Sequence, residues 1–248
     1  MLNKDLVELS ELMSGGETEI IPIMTEENIK DLSVSDMPEL LPILPLKGNV
    51  FFPGVIIPIN AGREKSVKLI KTAYKNKQII GIVAQKSADI EDPTTADLYK
   101  VGTMAKVIKT LNMPDGTTMV ILQGMDRFSL EELVQTEPYW VGKAIEYPDG
   151  AKELPENYMA LAEAVKDMYL RVLKMVPNIP ADPSFAIQNI ENPYFLLNYV
   201  AAHLDVNVSE KQKLLETNDF SKRANKVLSI LSKELELQKL KLEIQKKV

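Results

Sequence analysis

The 248-residue chain has no cysteine and a single histidine, His203. Without thiols there is no disulfide framework, no thiolate nucleophile, no Cys-ligated zinc and no iron–sulfur cluster. One imidazole excludes His-rich metal sites and leaves any His-dependent triad to one residue. No apolar run reaches the ~18–20 residues of a membrane span. At the N-terminus Asp5, Glu8 and Glu11 interrupt the basic-then-apolar layout of a signal peptide. These absences point to a cytoplasmic chain that meets no membrane. Phosphate-cradling loops are missing too: there is neither G-x-x-x-x-G-K-[ST] nor G-x-G-x-x-G. No G-x-S-x-G elbow or S-x-x-K pair supplies a nucleophile, and Ser66 and Lys68 lie two apart on a predicted helix, where side chains diverge. The residues therefore show no catalytic site and call for no cofactor or metal.

Charge is present but unevenly spread. Of the net −6, residues 1–40 carry −8, the middle of the chain −2, and residues 209–248 carry +4. No basic patch of the kind that dominates nucleic-acid affinity stands out, so a nucleic-acid partner is not expected. The acidic first 40 residues, with Ser14-Gly15-Gly16 and no sustained period, read as a disordered leader.

From Leu41 the signals become those of an α+β protein. Pro42 and Pro45 forbid a helix but suit an edge strand. Strands are predicted over Val55–Ile59, Gln78–Ala84, Thr103–Leu111, Thr117–Leu122 and Tyr139–Tyr147, with a hairpin turn at Met113-Pro114-Asp115-Gly116. One helix, Arg63 to Lys75, places Val67, Ile70 and Tyr74 on one face. Residues 41–150 thus read as a small twisted β-barrel with a helix packed across it. After Pro148-Asp149-Gly150 the period becomes helical. Met159, Ala162, Val165, Tyr169, Val172 and Val176 form one stripe; short helices follow, one opened by Ser209 with Gln212 as a capping box. Residues 151–218 read as a helical bundle and 219–248 as a long last helix.

That helix carries two apolar stripes. Leu228, Leu231, Leu235 and Leu242 fall on one side; Ile230, Leu237, Leu240 and Ile244 fall nearly opposite. Either both are satisfied within this chain, or the second meets a partner helix. The pattern stops at Val248 without a cap, as expected of a truncated helix that continues further. Apolar residues at predicted turns are the other unusual feature: Phe51, Phe52 and Val55 around Pro53-Gly54, and Met113 at the hairpin tip. Such residues either plug the barrel end or offer contacts to apolar peptides. Tyr139-Trp140 could stack a base but suits core or barrel rim. His203, beside Asp205 near a helix end, fits a structural role, and Asp89, Glu91, Asp92 and Asp97 a solvated turn.

An ordered series of short motifs resembles the Lon protease N-terminal domain. It begins with Leu44-Pro45-Leu46, Phe52-Pro53-Gly54, Ile57-Pro58 and Gly62-Arg63-Glu64-Lys65-Ser66. It continues through Val83-Ala84-Gln85-Lys86, Tyr99-Lys100-Val101-Gly102-Thr103, Met113-Pro114-Asp115-Gly116-Thr117 and Gln123-Gly124-Met125-Asp126-Arg127. In the helical half, Asn198 to Leu204 and Glu210 to Glu216 extend it. The resemblance implies a PUA-like barrel, a helical bundle and a long helix from an ATP-dependent, homohexameric, cytosolic serine protease, whose ATP and magnesium would be held elsewhere. It implies a non-catalytic region that selects unfolded or degron-bearing polypeptides and supports hexamer assembly in protein quality control and stress response. On this footing Phe52, Val55, Arg63, Glu64, Lys65 and Met113 are the expected substrate contacts, and Ile230, Leu237, Leu240 and Ile244 the expected oligomer contacts. The alternative is a free-standing PUA-like module for RNA or a small ligand.

Overall fold

The computed structural model describes residues 37–148, 156–176 and 184–247. Its β part is built from β1 (Leu40–Leu46), β2 (Ile56–Ala61), β3 (Ile80–Ala84), β4 (Val101–Asn112), β5 (Thr118–Gln135) and β6 (Val141–Glu146). The strand order is β2-β5-β4-β3-β1-β6, and β6 also pairs with β5. The ring β1-β3-β4-β5-β6 therefore closes. The second half of β5 reaches β6, while its first half carries β2. Since β6 pairs with β1 only over Leu40–Pro42, the later half of β1 faces β2 across an open slot.

The β4–β5 hairpin turns where Pro-Asp-Gly chemistry demands it. Gly116 has φ +86°, and Asp115 Oδ1 accepts from Thr117 N at 2.9 Å. Past Leu122, where the predicted strand stops, β5 continues to Gln135. Register shifts between Leu130 and Glu132 and between Leu133 and Gln135 bend it toward β6, so simple alternation fails there.

Helix α1 (Glu64–Asn76) buries Ser66, Leu69, Ile70 and Ala73. This face is rotated from the predicted one: Tyr74 is exposed and Val67 half-buried, because the helix, which packs on β4 and β1, buries the side carrying Leu69 and Ala73. The helical part comprises α2 (Glu156–Leu173), α3 (Ser184–Gln188), α4 (Pro193–His203), α5 (Val208–Glu216) and α6 (Phe220–Lys247). The α2 stripe is buried at Ala162, Val165, Tyr169 and Val172, but Met159 and Val176 at its ends are exposed. Asn192 caps α4 by accepting from Phe195 N at 3.0 Å. Asn207, not Ser209, caps α5, accepting from Glu210 N at 2.9 Å, so the expected capping box does not form.

Barrel and helices share one apolar core. Phe52, Ile70 and Leu122 belong to the same buried cluster as Phe195, Tyr199, Leu215, Phe220 and Leu231. A smaller cluster of Leu41, Ile43, Met104, Phe128 and Leu130 fills the β6 side. Side chains stitch the two parts together: Gln212 Nε2 donates to Val101 O at 2.9 Å and Tyr147 OH to Glu216 O at 2.8 Å. The expected leader lies outside the described residues as far as 36. Ordered structure begins before Leu41, since Leu40 opens β1 and Glu39 O accepts from Ala144 N at 2.9 Å. The expected boundary at 150–151 also falls outside the described residues, and Val248 lies beyond them.

Candidate functional site

Two of the expected substrate contacts are core residues. Phe52 is 0% and Val55 2% exposed, and Phe51 is buried beside them. The turn folds inward because Gly54 takes φ +79° and donates from its N–H to Gly124 O at 3.1 Å. The ring of Phe195 lies so close that a Cβ on Gly54 would stand 2.6 Å from its Cδ2. Plugging the barrel is what these side chains do, and the expectation that Phe52 and Val55 meet substrate directly is corrected. Met113 is half-buried at the hairpin tip.

Arg63, Glu64 and Lys65 are brought together at the first turn of α1, where two depressions meet. One, of about 390 Å³, occupies the slot between β1 and β2 and is lined by Leu44, Leu46, Ile59 and Ala61, with Lys47 and Glu91 at its rim. The other, of about 450 Å³, is lined by Ile43, Leu69, Tyr139, Trp140 and Pro93, with Glu64, Lys65 and Asp92 around it. Pro45, Arg63 and Ser66 line both. Met113 lines neither, although Gly62, next to Arg63, faces Thr117 at the base of the same hairpin.

Most charges around this cleft are paired. Lys47 Nζ lies 2.7 Å from Glu91, Lys65 Nζ 2.5 Å from Glu137, and Lys68 Nζ 2.7 Å from Glu64. The hydrogen bond and charge of Lys68 hold the Glu64 carboxyl below its ordinary pKa, and those of Lys47 do the same for Glu91. Arg63 Nη2 donates to the buried, neutral Gln85 at 2.7 Å and has no carboxylate within ion-pair distance among the described residues. Gln85 is fixed in turn by donating to Ser87 O and Ile90 O. Ser66 and Gln85 stood inside recognised motifs, but their place at the cleft and the depressions themselves were not legible in the sequence, because they join segments far apart in the chain. The charged Arg63-Glu64-Lys65 run and the adjacent aromatics Tyr139-Trp140 were the visible signals.

The other singled-out groups are structural. His203 Nδ1 lies 2.7 Å from Tyr199 O, and its ring packs on Tyr199 at 4.4 Å. Asp97 caps a short turn, accepting from Thr94 N and Oγ1 at 2.7 Å each. Among the described residues no group of three or more His, Asp or Glu is placed to hold a metal, and no helix is long and apolar enough to cross a membrane.

On α6, Leu231 is buried, and Leu228 and Leu235 pack partly against the core. Leu237, Leu240 and Ile244 are 45%, 54% and 54% exposed. Ile230 does not join them. It is half-buried against the same core, because only the C-terminal half of α6 runs clear of the helices.

A barrel fused through one core to a helical bundle with a projecting helix defines a mixed α+β module with solved counterparts. The N-terminal domain of a Mycobacterium avium complex Lon protease superposes with a TM-score of 0.62, covering 78% of this chain and 98% of that one. A Lon N-terminal domain protein from Xanthomonas campestris gives 0.54, covering 77% and 97%. At 18% identity both show the fold alone. The chain belongs to the ATP-dependent protease La (LON) substrate-binding domain family, whose model matches residues 40–233. It is 42% identical over 252 aligned positions to the Lon protease of Flavobacterium johnsoniae, and 39% over 231 to that of Cytophaga hutchinsonii. These alignments take in 100% and 93% of this chain but only 30% and 28% of those proteins' length.

Proposed function

We propose that this chain is the substrate-selecting N-terminal region of a cytoplasmic, ATP-dependent Lon-type serine protease that removes unfolded or damaged proteins in quality control and under stress. The carrying observation is the cleft at the start of α1, in a chain of the substrate-binding family. Apolar walls from Trp140, Tyr139, Leu69 and the β1–β2 slot, rimmed by Arg63, Glu64 and Lys65, offer weak mixed contacts. Such contacts suit a protein that accepts many sequences. An RNA-binding module is not favoured, because lysines around the cleft are paired with carboxylates and form no free basic stripe.

The direct test is fluorescence anisotropy with a permanently unfolded, carboxymethylated protein and its native form. The chain is expected to bind the unfolded form selectively. Reversing the rim charges in an Arg63→Glu, Lys65→Glu double variant should weaken that binding by about tenfold, the order expected for charge pairs set against a complementary surface. Melting temperature should fall by only a few degrees, because Lys65 is exposed and the loss is confined to the Arg63–Gln85 hydrogen bond, which contributes about 1.5–3 kcal/mol. Unchanged binding in the variant would remove the cleft from substrate contact.

In this reading ATP and magnesium act in the rest of the longer protein. The isolated 248-residue chain, which has no P-loop and no S-x-x-K pair, is expected to neither hydrolyse ATP nor degrade casein. Turnover that co-purifies with the chain through successive columns would refute this.

The exposed Leu237, Leu240 and Ile244 stripe is proposed to meet the same helix of a second copy in a homohexamer. Each such side chain removed from water contributes roughly 1.5–3 kcal/mol, against association costs of about 4–15 kcal/mol. The chain alone should therefore associate weakly, and more strongly when other domains raise the effective concentration. Sedimentation across micromolar concentrations should show the parent self-associating and a Leu237→Glu, Ile244→Glu variant folded and monomeric. A parent that stays monomeric throughout that range, or a variant that associates equally, would deny this stripe its role.

A further inference from the structure

The start of α1 lacks a cap. Arg63 stands at the N-cap position without a side-chain capping bond, and Val67 N is the first amide to turn back, onto Arg63 O at 3.0 Å. The N–H groups of Glu64, Lys65 and Ser66 accordingly have no acceptor among the described residues. Ser66 adds an independent observation. It is only 8% exposed, lines both depressions, and its hydroxyl has no hydrogen-bond partner among the described residues. Arg63, with only a neutral partner in Gln85, brings a positive charge to the same saddle. Glu64, Glu91 and Glu137 are each held by a lysine, Glu91 also feels the charge of Arg63, and Asp92 stands at the rim of the larger depression, so the carboxylates nearby are engaged but not remote.

We infer that this saddle binds a carboxylate, and that the preferred ligand is an extended polypeptide segment in which an Asp or Glu is flanked on both sides by apolar residues. Free amides at a helix start, a hydroxyl and a guanidinium form an anion site. The two apolar depressions share Pro45, Arg63 and Ser66 and each continues onto its own lining residues, so a chain crossing the saddle can place a side chain in each. A terminal carboxylate would use one depression and leave the other empty, which is why an internal acidic residue is the occupant. The inference rests on the reading of the cleft as the polypeptide site and adds the chemistry it selects.

The experiment uses the full chain and a fluorescein-labelled probe, Gly-Ser-Leu-Trp-Asp-Leu-Val-Ser-Gly, blocked at both ends. Its Asp form is expected to bind about tenfold more tightly than the same peptide with asparagine, as for a charge-assisted rather than a neutral hydrogen-bond set. Arg63→Gln and Ser66→Ala should each bring the two affinities together while the circular dichroism melt stays cooperative, lowered by no more than a few degrees where the Arg63–Gln85 bond is lost. In the parent, the amide resonances of Glu64, Lys65 and Ser66 should shift with the Asp peptide and not with the Asn one, a readout that needs no variant. Equal binding of both peptides at the cleft overturns the carboxylate inference and leaves the polypeptide site standing. Preference for an unblocked Asn peptide over the blocked Asp peptide also overturns it, in favour of chain-end capture. Failure of both peptides and of the carboxymethylated protein to bind would sink the polypeptide site itself.

Discussion

A Phe52→Ala variant is expected to lose about 3–5 kcal/mol of stability, the usual cost of emptying a buried phenylalanine site. For a folded unit of this size that lowers the melting temperature by roughly 6–20 °C. The ring is fully enclosed, in the cluster that joins the barrel to Phe195 and Leu215. Its neighbourhood cannot close over the void, because the backbone around it is pinned. Thr103 Oγ1 donates to Phe51 O at 2.6 Å, and Gly124 runs so near Phe52 O that any Cβ there would collide with it. Binding of unfolded protein should fall only in proportion to the unfolded fraction. Met113→Ala, at a half-buried hairpin tip, should change stability by less than about 1 kcal/mol. Thermal melts and anisotropy on the same samples decide the matter. A Phe52→Ala chain with parental melting and weakened binding would put the ring back at a surface.

This outcome shows where the sequence was legible and where it was not. The Pro-Asp-Gly hairpin, the β-branched run of β3 and the stripes of α1 and α2 are local signals, and the elements form where those signals lie. The burial of Phe52 and Val55 depends on Phe195, a residue far along the chain whose approach to Gly54 no local pattern records. The latter part of β5 was hidden for a related reason. It changes partner from β2, left at Gln123, to β6, met at Phe128, then passes two register shifts, and it carries Asp126, Arg127, Glu131 and Glu132, so its alternation breaks. The cleft was half-visible. Gly62-Arg63-Glu64-Lys65-Ser66 is one contiguous motif and Tyr139-Trp140 another, but only strand closure sets them side by side. The two stripes of α6 were separable by angle alone. Their limits were not, since Ile230 shares an angle with Leu237 yet lies on the part of the helix still covered by the bundle.

Arg127→Met is expected to destabilise the fold by about 2–4 kcal/mol, and chiefly by loosening the helices from the barrel. Arg127 is 3% exposed on β5. Its Nη1 donates to Leu215 O, its Nη2 to Pro148 O at 3.0 Å, and its guanidinium lies 4.9 Å from the centre of the Tyr147 ring. Leu215 lies in the last turn of α5, where carbonyls have no intrahelical donor and the helix end carries partial negative charge. A cation supplied by the barrel thus caps a helix of the bundle, and Tyr147 OH reaches the next carbonyl, Glu216 O. Two charge-assisted hydrogen bonds contribute roughly 1.5–3 kcal/mol each, offset in part because methionine no longer has a charge to desolvate. Arg127→Lys keeps the charge but not the fork, and should fall between methionine and the parent. Tyr147→Phe removes one neutral hydrogen bond and should cost about 0.5–1.5 kcal/mol. Urea unfolding gives the totals, and amide hydrogen exchange locates them. Protection should drop first from Leu214 to Thr217 and along the start of α6, while the β3–β4 ladder keeps its parental rates. Because α6 begins only a few residues after this junction, its orientation relative to the cleft depends on the same contact. Uniform loss of protection across barrel and bundle would show that Arg127 supports the whole fold rather than the joint between its parts.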